Sequence, residues 1–306
     1  MTGVLEGFAL IGAIIAVGYL LGRLGILGDA AGGVLSRLAF FVGSPALLYV
    51  TLSGAEVGTL VDTRSLVSYG TALAMILAYL LTARLLMRRP AGETVIGGLC
   101  AGYVNAGNLG IPIAVYALGG AEAVAPTMIF QLTILAPASF VVLDLLEKRG
   151  QGMTLRNALT PLLNPTLMAS AAGVVSAVAH WQPPEVVLAP IQTLGGLAVP
   201  AMLLAFGISL RGSPMPGRSD MRSQLVLAVV LKSFVQPALA WGVGLAVGLS
   251  GPTLLAAVVI AALPTAQNVF TYAMRYDRGV VLARESVLVT TILSVPVVLL
   301  TAAVLA

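Results

Sequence analysis

The chain has 306 residues, of which 58% are hydrophobic and only 9% are charged, and its formal net charge is +4. A soluble domain carries about 25% charged residues, so this composition excludes an ordinary soluble enzyme, and it predicts no nucleic-acid partner. The single cysteine and the single histidine exclude an intramolecular disulfide and a metal site built from several such residues, and no cofactor is predicted.

The charged residues lie between apolar stretches of about twenty residues, a length that crosses a hydrocarbon core roughly 30 Å thick. The sequence therefore predicts an all-α polytopic membrane protein in the lipid bilayer, with ten transmembrane spans. In chain order, the predicted spans one to ten are Val4–Leu24, Val34–Ser53, Leu66–Met87, Thr94–Gly119, Ala123–Leu146, Ala158–Trp181, Val186–Leu210, Gln224–Leu249, Thr253–Tyr276 and Val280–Val304. Span one continues without an A-x-A cleavage site, which favours a helix over a removed signal peptide.

Basic residues alternate between the two sides of this predicted topology. The five odd-numbered loops and the span ends beside them carry 14 of the 16 lysines and arginines. Positively charged residues resist translocation, so the odd-numbered loops are predicted to be cytoplasmic. We therefore expect a multi-pass protein of the cell (inner) membrane with both termini outside.

Two patterns recur about half a chain apart. The segment Leu38–Tyr49 resembles Leu194–Ala205, and their prolines, Pro45 and Pro200, are 155 residues apart. Polar and helix-breaking residues interrupt span four at 105–112 and span nine at 264–268. The chain thus divides into halves 1–150 and 151–306 with five spans each, and five is odd, so the second half enters the membrane inverted. Inverted repeats with broken helices are typical of secondary transporters.

The two interruptions are the predicted binding site. Both are expected near the bilayer middle, where non-helical backbone must be buried or line a wet cavity. The half-helix N-termini that meet there carry about half a positive charge each and suit a carboxylate, although some of the amides are expected only to cap the broken ends. The candidate substrate-binding residues at the breaks are Asn105, Gly107, Asn108, Gly110, Ile111, Pro112, Pro264, Thr265, Gln267 and Asn268.

Three further candidates lie at a similar depth in neighbouring spans. Lys232 is expected near mid-membrane in span eight, where a lysine faces a cavity or a partner. It either binds the anion directly, or it only satisfies the carbonyls of a broken helix or occupies the place of a bound sodium ion. Gln131 in span five is a weaker candidate, and Tyr272 after the second break either walls the cavity or packs in the core.

Four stretches in register carry a resemblance to a known family. They are Asn105–Ile113, Asn164–Pro165, Leu197–Leu210 and Leu263–Tyr276. With them the chain resembles the auxin efflux carrier family, whose bacterial members include malonate and malate carriers. The long cytoplasmic loop of many plant members is absent.

The resemblance implies a fold shared with bile-acid sodium symporters and sodium/proton antiporters. It implies a scaffold of spans 1, 2, 6 and 7, a transport domain of spans 3–5 and 8–10, an elevator-type movement and a homodimer through the scaffold. It also implies carboxylate-bearing substrates. The family's crossover residues carry over onto Asn105, Asn108, Gly110, Pro112, Pro264 and Asn268.

The sequence thus predicts a secondary transporter of a small organic anion, such as malonate, malate or an auxin-like acid, and not an enzyme. The alternatives are a sodium/proton antiporter, a sodium-coupled symporter of the same fold, or a non-transporting sensor. Proton exchange for metal needs carboxylates near the crossover, and the sequence places none there. An intramembrane metalloenzyme would need a His/Glu/Asp cluster that the sequence lacks.

Overall fold

The computed structural model describes residues 2–54, 62–110, 113–114, 118, 123–147, 165–211 and 216–305, and their side chains apart from those of residues 2–8, 10, 11, 108 and 167. Within these ranges the regular structure is helical, and the only strand-like pairing is one isolated antiparallel bridge between Val104 and Thr265. The prediction of an all-helical chain is thereby confirmed for the described residues.

Eleven helices are named here in chain order. They are α1 Thr2–Leu24, α2 Ala31–Ser53, α3 Thr63–Leu86, α4 Ala91–Gly102, α5 Ala125–Glu147, α6 Pro165–Val178, α7 Glu185–Ser209, α8 Arg222–Ala246, α9 Gly251–Ala262, α10 Gln267–Tyr276 and α11 Val280–Leu305. A short π-helical stretch, Ala106–Gly110, follows α4. Similar five-residue π-helical turns interrupt α2, α5 and α8 without ending them, and one forms the last turn of α3, Thr82–Leu86.

Six of these helices are long and apolar enough to cross a membrane: α2, α3, α5, α7, α8 and α11. Their bounds lie within three residues of predicted spans two, three, five, seven, eight and ten. Predicted span nine is divided between α9 and α10, while predicted spans four and six lie partly outside the described residues. A polytopic membrane protein is confirmed; the count of ten spans and their inverted relation stay predictions.

The helices pack in two groups. In the first, α1 packs along the second half of α7, and α6 packs along the second half of α2. In the second, α3 packs on α4, and α8 packs on α9, while α3 also contacts α8 and α9. Fewer contacts join the two groups, chiefly between α10 and the helices α2 and α7.

Glycines bring α1 and α7 into backbone contact. A Cβ at Gly18 would lie 2.5 Å from the carbonyl oxygen of Leu204, and a Cβ at Gly207 would overlap the carbonyl oxygen of Ile15. Apolar burial does not drive helices together in lipid, so close backbone approach through small residues is a main source of their attraction. This pair of helices is therefore held by van der Waals contact that only glycine permits.

We expect Gly207→Val to destabilise the protein by about 1–3 kcal/mol or more, because the added side chain forces α1 and α7 apart. Thermal unfolding in detergent would show the loss as a lower Tm. Gly242→Val on α8 is the matched control, since a Cβ there meets nothing within 4 Å. Equal Tm values for the two variants would contradict the close-contact argument.

Candidate functional site

The two chain breaks cross each other as a short antiparallel pair. After α4 and α9 end, the backbone N–H of Asn105 donates to the carbonyl oxygen of Pro264 at 2.8 Å. The N–H of Ala266 donates to the carbonyl oxygen of Tyr103 at 3.1 Å. Each break thus satisfies part of the other's backbone, which lipid could not do.

Side chains from two neighbouring helices hold the bridge residues, Val104 and Thr265. Gln131 accepts from the N–H of Val104 at 2.7 Å and donates to its carbonyl oxygen at 3.0 Å. The hydroxyl of Thr290 accepts from the N–H of Thr265 at 3.1 Å, and the hydroxyl of Thr265 donates to the carbonyl oxygen of Cys100 at 2.6 Å. Gln131 and Thr290 therefore hold the crossing backbone from the neighbouring helices, and Thr265 joins it to the end of α4.

Two buried amides also join the breaks. Asn105 Nδ2 donates to Gln267 Oε1 at 2.7 Å. Gln267 begins α10, and the residue before it, Ala266, provides no side-chain hydrogen bond to cap that helix. The first turn of α10 therefore presents N–H groups and the positive end of a helix dipole beside the crossing.

A cavity of about 70 Å³ lies between the crossing and the helices α2 and α7. Its lining combines neutral polar groups from the crossing, α5 and α10 with small or apolar groups from α2 and α7. The described residues that line it are Ser44, Leu47, Tyr103, Val104, Asn105, Ala106, Gly107, Met128, Gln131, Leu132, Ala198, Val199, Met202, Ala266 and Asn268. None of these side chains carries a charge.

Four predicted site residues line this cavity: Asn105, Gly107, Gln131 and Asn268. Other predicted residues are engaged at the crossing, as described for Pro264, Thr265 and Gln267. Gly110 N donates to the carbonyl oxygen of Asn105 at 2.8 Å, and a Cβ at Gly110 would lie 2.9 Å from Val124. Ile111 and Pro112 lie outside the described residues, as does the side chain of Asn108.

Lys232 does not line the cavity. Its side chain is fully buried in α8, and its ammonium donates to the carbonyl oxygen of Ala261 at 2.8 Å and to Gln236 Oε1 at 2.6 Å. Ala261 lies in the last turn of α9, where carbonyl groups lack intrahelical donors. This is the geometry of the second alternative, in which the lysine satisfies the carbonyls of a broken helix.

Sequence reasoning missed the tyrosine that forms one wall of the cavity. Tyr103 is 2% exposed, so its hydroxyl is buried together with the ring. The Asn268 side chain and the Tyr272 ring lie beside it, with the two rings edge to face and their centroids 6.1 Å apart. Tyr272 therefore packs against Tyr103. Only the tyrosine's position, two residues before Asn105, could have indicated its role.

The wall formed by α2 and α7 was also missed. It consists of Ser44, Leu47, Ala198, Val199 and Met202, and small or apolar residues of this kind carry no chemical signature in a membrane helix.

The site can bind a small polar ligand through amide, hydroxyl and backbone N–H donors. No three His, Cys, Asp or Glu residues in the described ranges lie close enough together to hold a metal ion.

Comparison with known proteins gives one family match and two similar proteins. The family model described as "Membrane transport protein" matches residues 4–160 and 153–302. The chain is 29% identical over 298 residues to a protein of Rhizobium meliloti (strain 1021) named "Putative malonate transporter", with 93% of this chain and 90% of that protein covered. It is 25% identical over 286 residues to a Methanothermobacter thermautotrophicus protein named "Uncharacterized transporter", with 92% and 91% covered.

Proposed function

Because the chain belongs to the membrane transport protein family, we propose that it is a secondary carrier of a small organic anion. This family is the auxin efflux carrier family, which the sequence motifs resemble. Membership and membrane-length helices make it a membrane transporter. Malonate is the first substrate to test, since a relative that is similar over nearly the whole chain has that name.

The cavity at the crossing is the observation that carries the proposal. Asn105, Gln131 and Asn268 bring amides to it, Tyr103 brings a buried hydroxyl, and the first turn of α10 opens beside it. Such donors bind a carboxylate without a fixed counter-charge, because the helix end supplies about half a positive charge. Neutral donors also release an anion more readily than a buried ion pair does, which a carrier requires.

Ten spans in two inverted halves form part of the proposal. The packing pairs support it, because exchanging the first and second halves converts the α1–α7 pair into the α6–α2 pair. The same exchange converts α3 on α4 into α8 on α9. Gln131 and Thr290 also have equivalent positions, since each accepts from the N–H of one bridge residue.

We further propose that substrate moves with the crossing while α1, α2, α6 and α7 stay fixed, as in an elevator. The grouping of the helices supports this division, and so does the cavity's lining. Its polar donors lie mainly on the crossing, α5 and α10, and the facing wall of α2 and α7 is mostly apolar. A ligand held by one wall could then pass along the other without breaking strong bonds.

Sodium/proton antiport is disfavoured on the same residues. The described lining of the cavity has no carboxylate. The buried carboxylate of Glu285 in α11 accepts from the N–H of Gly217 at 3.0 Å and from Ser219 Oγ at 3.4 Å, and so holds the loop before α8.

The test is uptake of radiolabelled malonate by purified protein in proteoliposomes, with protein-free liposomes as the control. We expect uptake and exchange with internal malonate, with no requirement for sodium. Sodium-dependent uptake would identify a symporter, and cation-driven pH change without malonate would identify an antiporter. Binding of malonate without flux would support a sensor. The absence of both binding and flux with malonate, malate and indole acids would overturn the proposal.

A further inference from the structure

A second and larger cavity lies between α2 and α10, about 680 Å³ in volume. Ser36, Arg37 and Phe41 line it from α2, and Met274 and Arg275 line it from α10. Asp277, directly after α10, also lines it, so the two guanidinium groups outnumber the single carboxylate. This cavity is on the arginine-rich side of the chain, which the charge pattern predicts to be cytoplasmic.

Two buried polar groups of this cavity form no hydrogen bond with the residues that the structure describes. Ser36 is 4% exposed, and its Oγ makes no hydrogen bond to the described part of the chain. The buried Nε of Arg275 is likewise unpaired among those residues. Neither Arg37 nor Arg275 forms an ion pair within the ranges that the structure describes. Buried donors without acceptors are costly, and such groups call for a ligand or ordered water.

Aromatic rings fix the position of Arg275. Its guanidinium lies 5.0 Å from the ring centroid of Phe41, 5.3 Å from that of Tyr276 and 5.9 Å from that of Phe40. Contact with ring faces keeps a guanidinium in place while its edge stays available for hydrogen bonds. The fork is thus arranged in advance for a planar, two-oxygen acceptor.

Phe40 and Tyr272 separate this cavity from the one at the crossing. The cavity at the crossing is called the inner cavity, and the larger one at Arg275 the outer cavity. Along α10, Asn268 lines the inner cavity and Arg275 the outer cavity, and their seven-residue separation along the helix spans about 10 Å. Tyr272 lies between them, and Phe40 has the equivalent position on α2. Their ring centroids are 6.3 Å apart, edge to face, with Phe140 4.7 Å from Tyr272.

We propose that the outer cavity is a second anion-binding site, in which Arg37, Arg275 and the Ser36 hydroxyl bind a small carboxylate. The carboxylate would bind there before it passes an aromatic layer, formed by Phe40, Phe140 and Tyr272. The choice of malonate as its ligand rests on the proposed function; the site itself rests on the cavity and its unpaired donors. A cavity in which positive charges outnumber negative ones raises the local concentration of anions. The site therefore supplies the crossing with substrate from this side.

Cysteine protection tests the site without any need for transport. Cys100 is fully buried, and Gly33 lines the outer cavity with open space where a Cβ would lie. In purified Gly33→Cys protein we expect malonate to slow modification by an anionic methanethiosulfonate reagent at least threefold, and neutral malonamide to have no effect. Ala30→Cys, at an exposed position just before α2, should show no protection.

A second substitution in the Gly33→Cys protein shows where the malonate binds. Arg275→Gln should abolish protection of Gly33→Cys, whereas Arg278→Gln, which removes the same charge but lines a different cavity, should retain it. Asn268→Ala should also retain it, because Asn268 belongs to the inner cavity. If Arg275→Gln does not give monodisperse protein, Arg37→Gln at its exposed position serves the same purpose.

Two results with the variants would overturn the inference. One is protection that survives loss of the arginine, and the other is protection that disappears in Asn268→Ala, which would show that it reports the inner cavity. Protection without malonate flux would leave the site standing and remove the proposed function. Malonate flux without protection would remove the site and leave the proposed function standing.

Discussion

Asn268→Ala is expected to lower malonate uptake about 10- to 100-fold while membrane insertion and Tm stay near those of the unchanged protein. Asn268 is half-buried at the first turn of α10 and lines the inner cavity. A hydrogen bond to a charged group contributes about 1.5–3 kcal/mol, and each 1.4 kcal/mol is about tenfold in affinity. Alanine keeps the helix but removes the amide, so the loss should appear in binding and flux.

The measurement is initial uptake over a range of malonate concentrations, with the amount of inserted protein determined for each sample. Gln192→Ala on α7 is the matched control, because its amide is exposed and lies outside the cavity. Normal flux through Asn268→Ala would mean that the amide only caps the start of α10. Loss of flux in both variants would indicate a general effect of removing an amide.

Lys232→Met is expected to destabilise the protein by about 2–5 kcal/mol. The substitution removes a buried ammonium, whose desolvation is costly, but it leaves Gln236 Oε1 and the Ala261 carbonyl oxygen without their donor. Removing one partner of a buried polar contact usually costs more than the contact contributes. The end of α9 should lose its fixed position, and malonate flux should fall with stability.

A double-variant cycle distinguishes this role from direct binding of substrate. Lys232→Met with Gln236→Leu removes donor and acceptor together, so it should recover part of the Tm lost in the single variant. The measurements are Tm in detergent and the increase in Tm that malonate produces in each variant. If the lysine bound substrate directly, Lys232→Met would instead leave Tm nearly unchanged and abolish the increase in Tm that malonate produces.

The sequence predicted the site's backbone better than its walls. Proline and amides at 264–268 mark a place where a helix cannot continue, because proline lacks an N–H and disfavours the helical conformation before it. The structure ends α9 at Ala262 and begins α10 at Gln267. Breaks of this kind depend on local chemistry, which is why a single sequence reveals them.

Directions of side chains could not be predicted in the same way. Depth in the membrane follows from counting residues, and it placed Lys232 and Gln131 at the level of the breaks. Whether Lys232 faces the cavity or the end of α9 depends on how α8 is rotated against α9, which helix packing decides. Gln131 reaches the cavity, yet both of its described hydrogen bonds go to Val104.

The aromatic layer was invisible in the sequence for a related reason. Phe40, Phe140 and Tyr272 come from three segments far apart along the chain, and apolar rings are common in membrane helices. Their proximity arises only when α2, α5 and α10 meet.

The glycine contacts between α1 and α7 limit how this molecule can change shape. The backbones of α1 and α7 are in contact at Gly18 and Gly207, with no flexible side chains between them that could adjust. These two helices must therefore move together or stay fixed together. A chemical staple joining α1 to α7 should therefore leave turnover intact. A staple joining α2 to α10, across the cavities, should stop it.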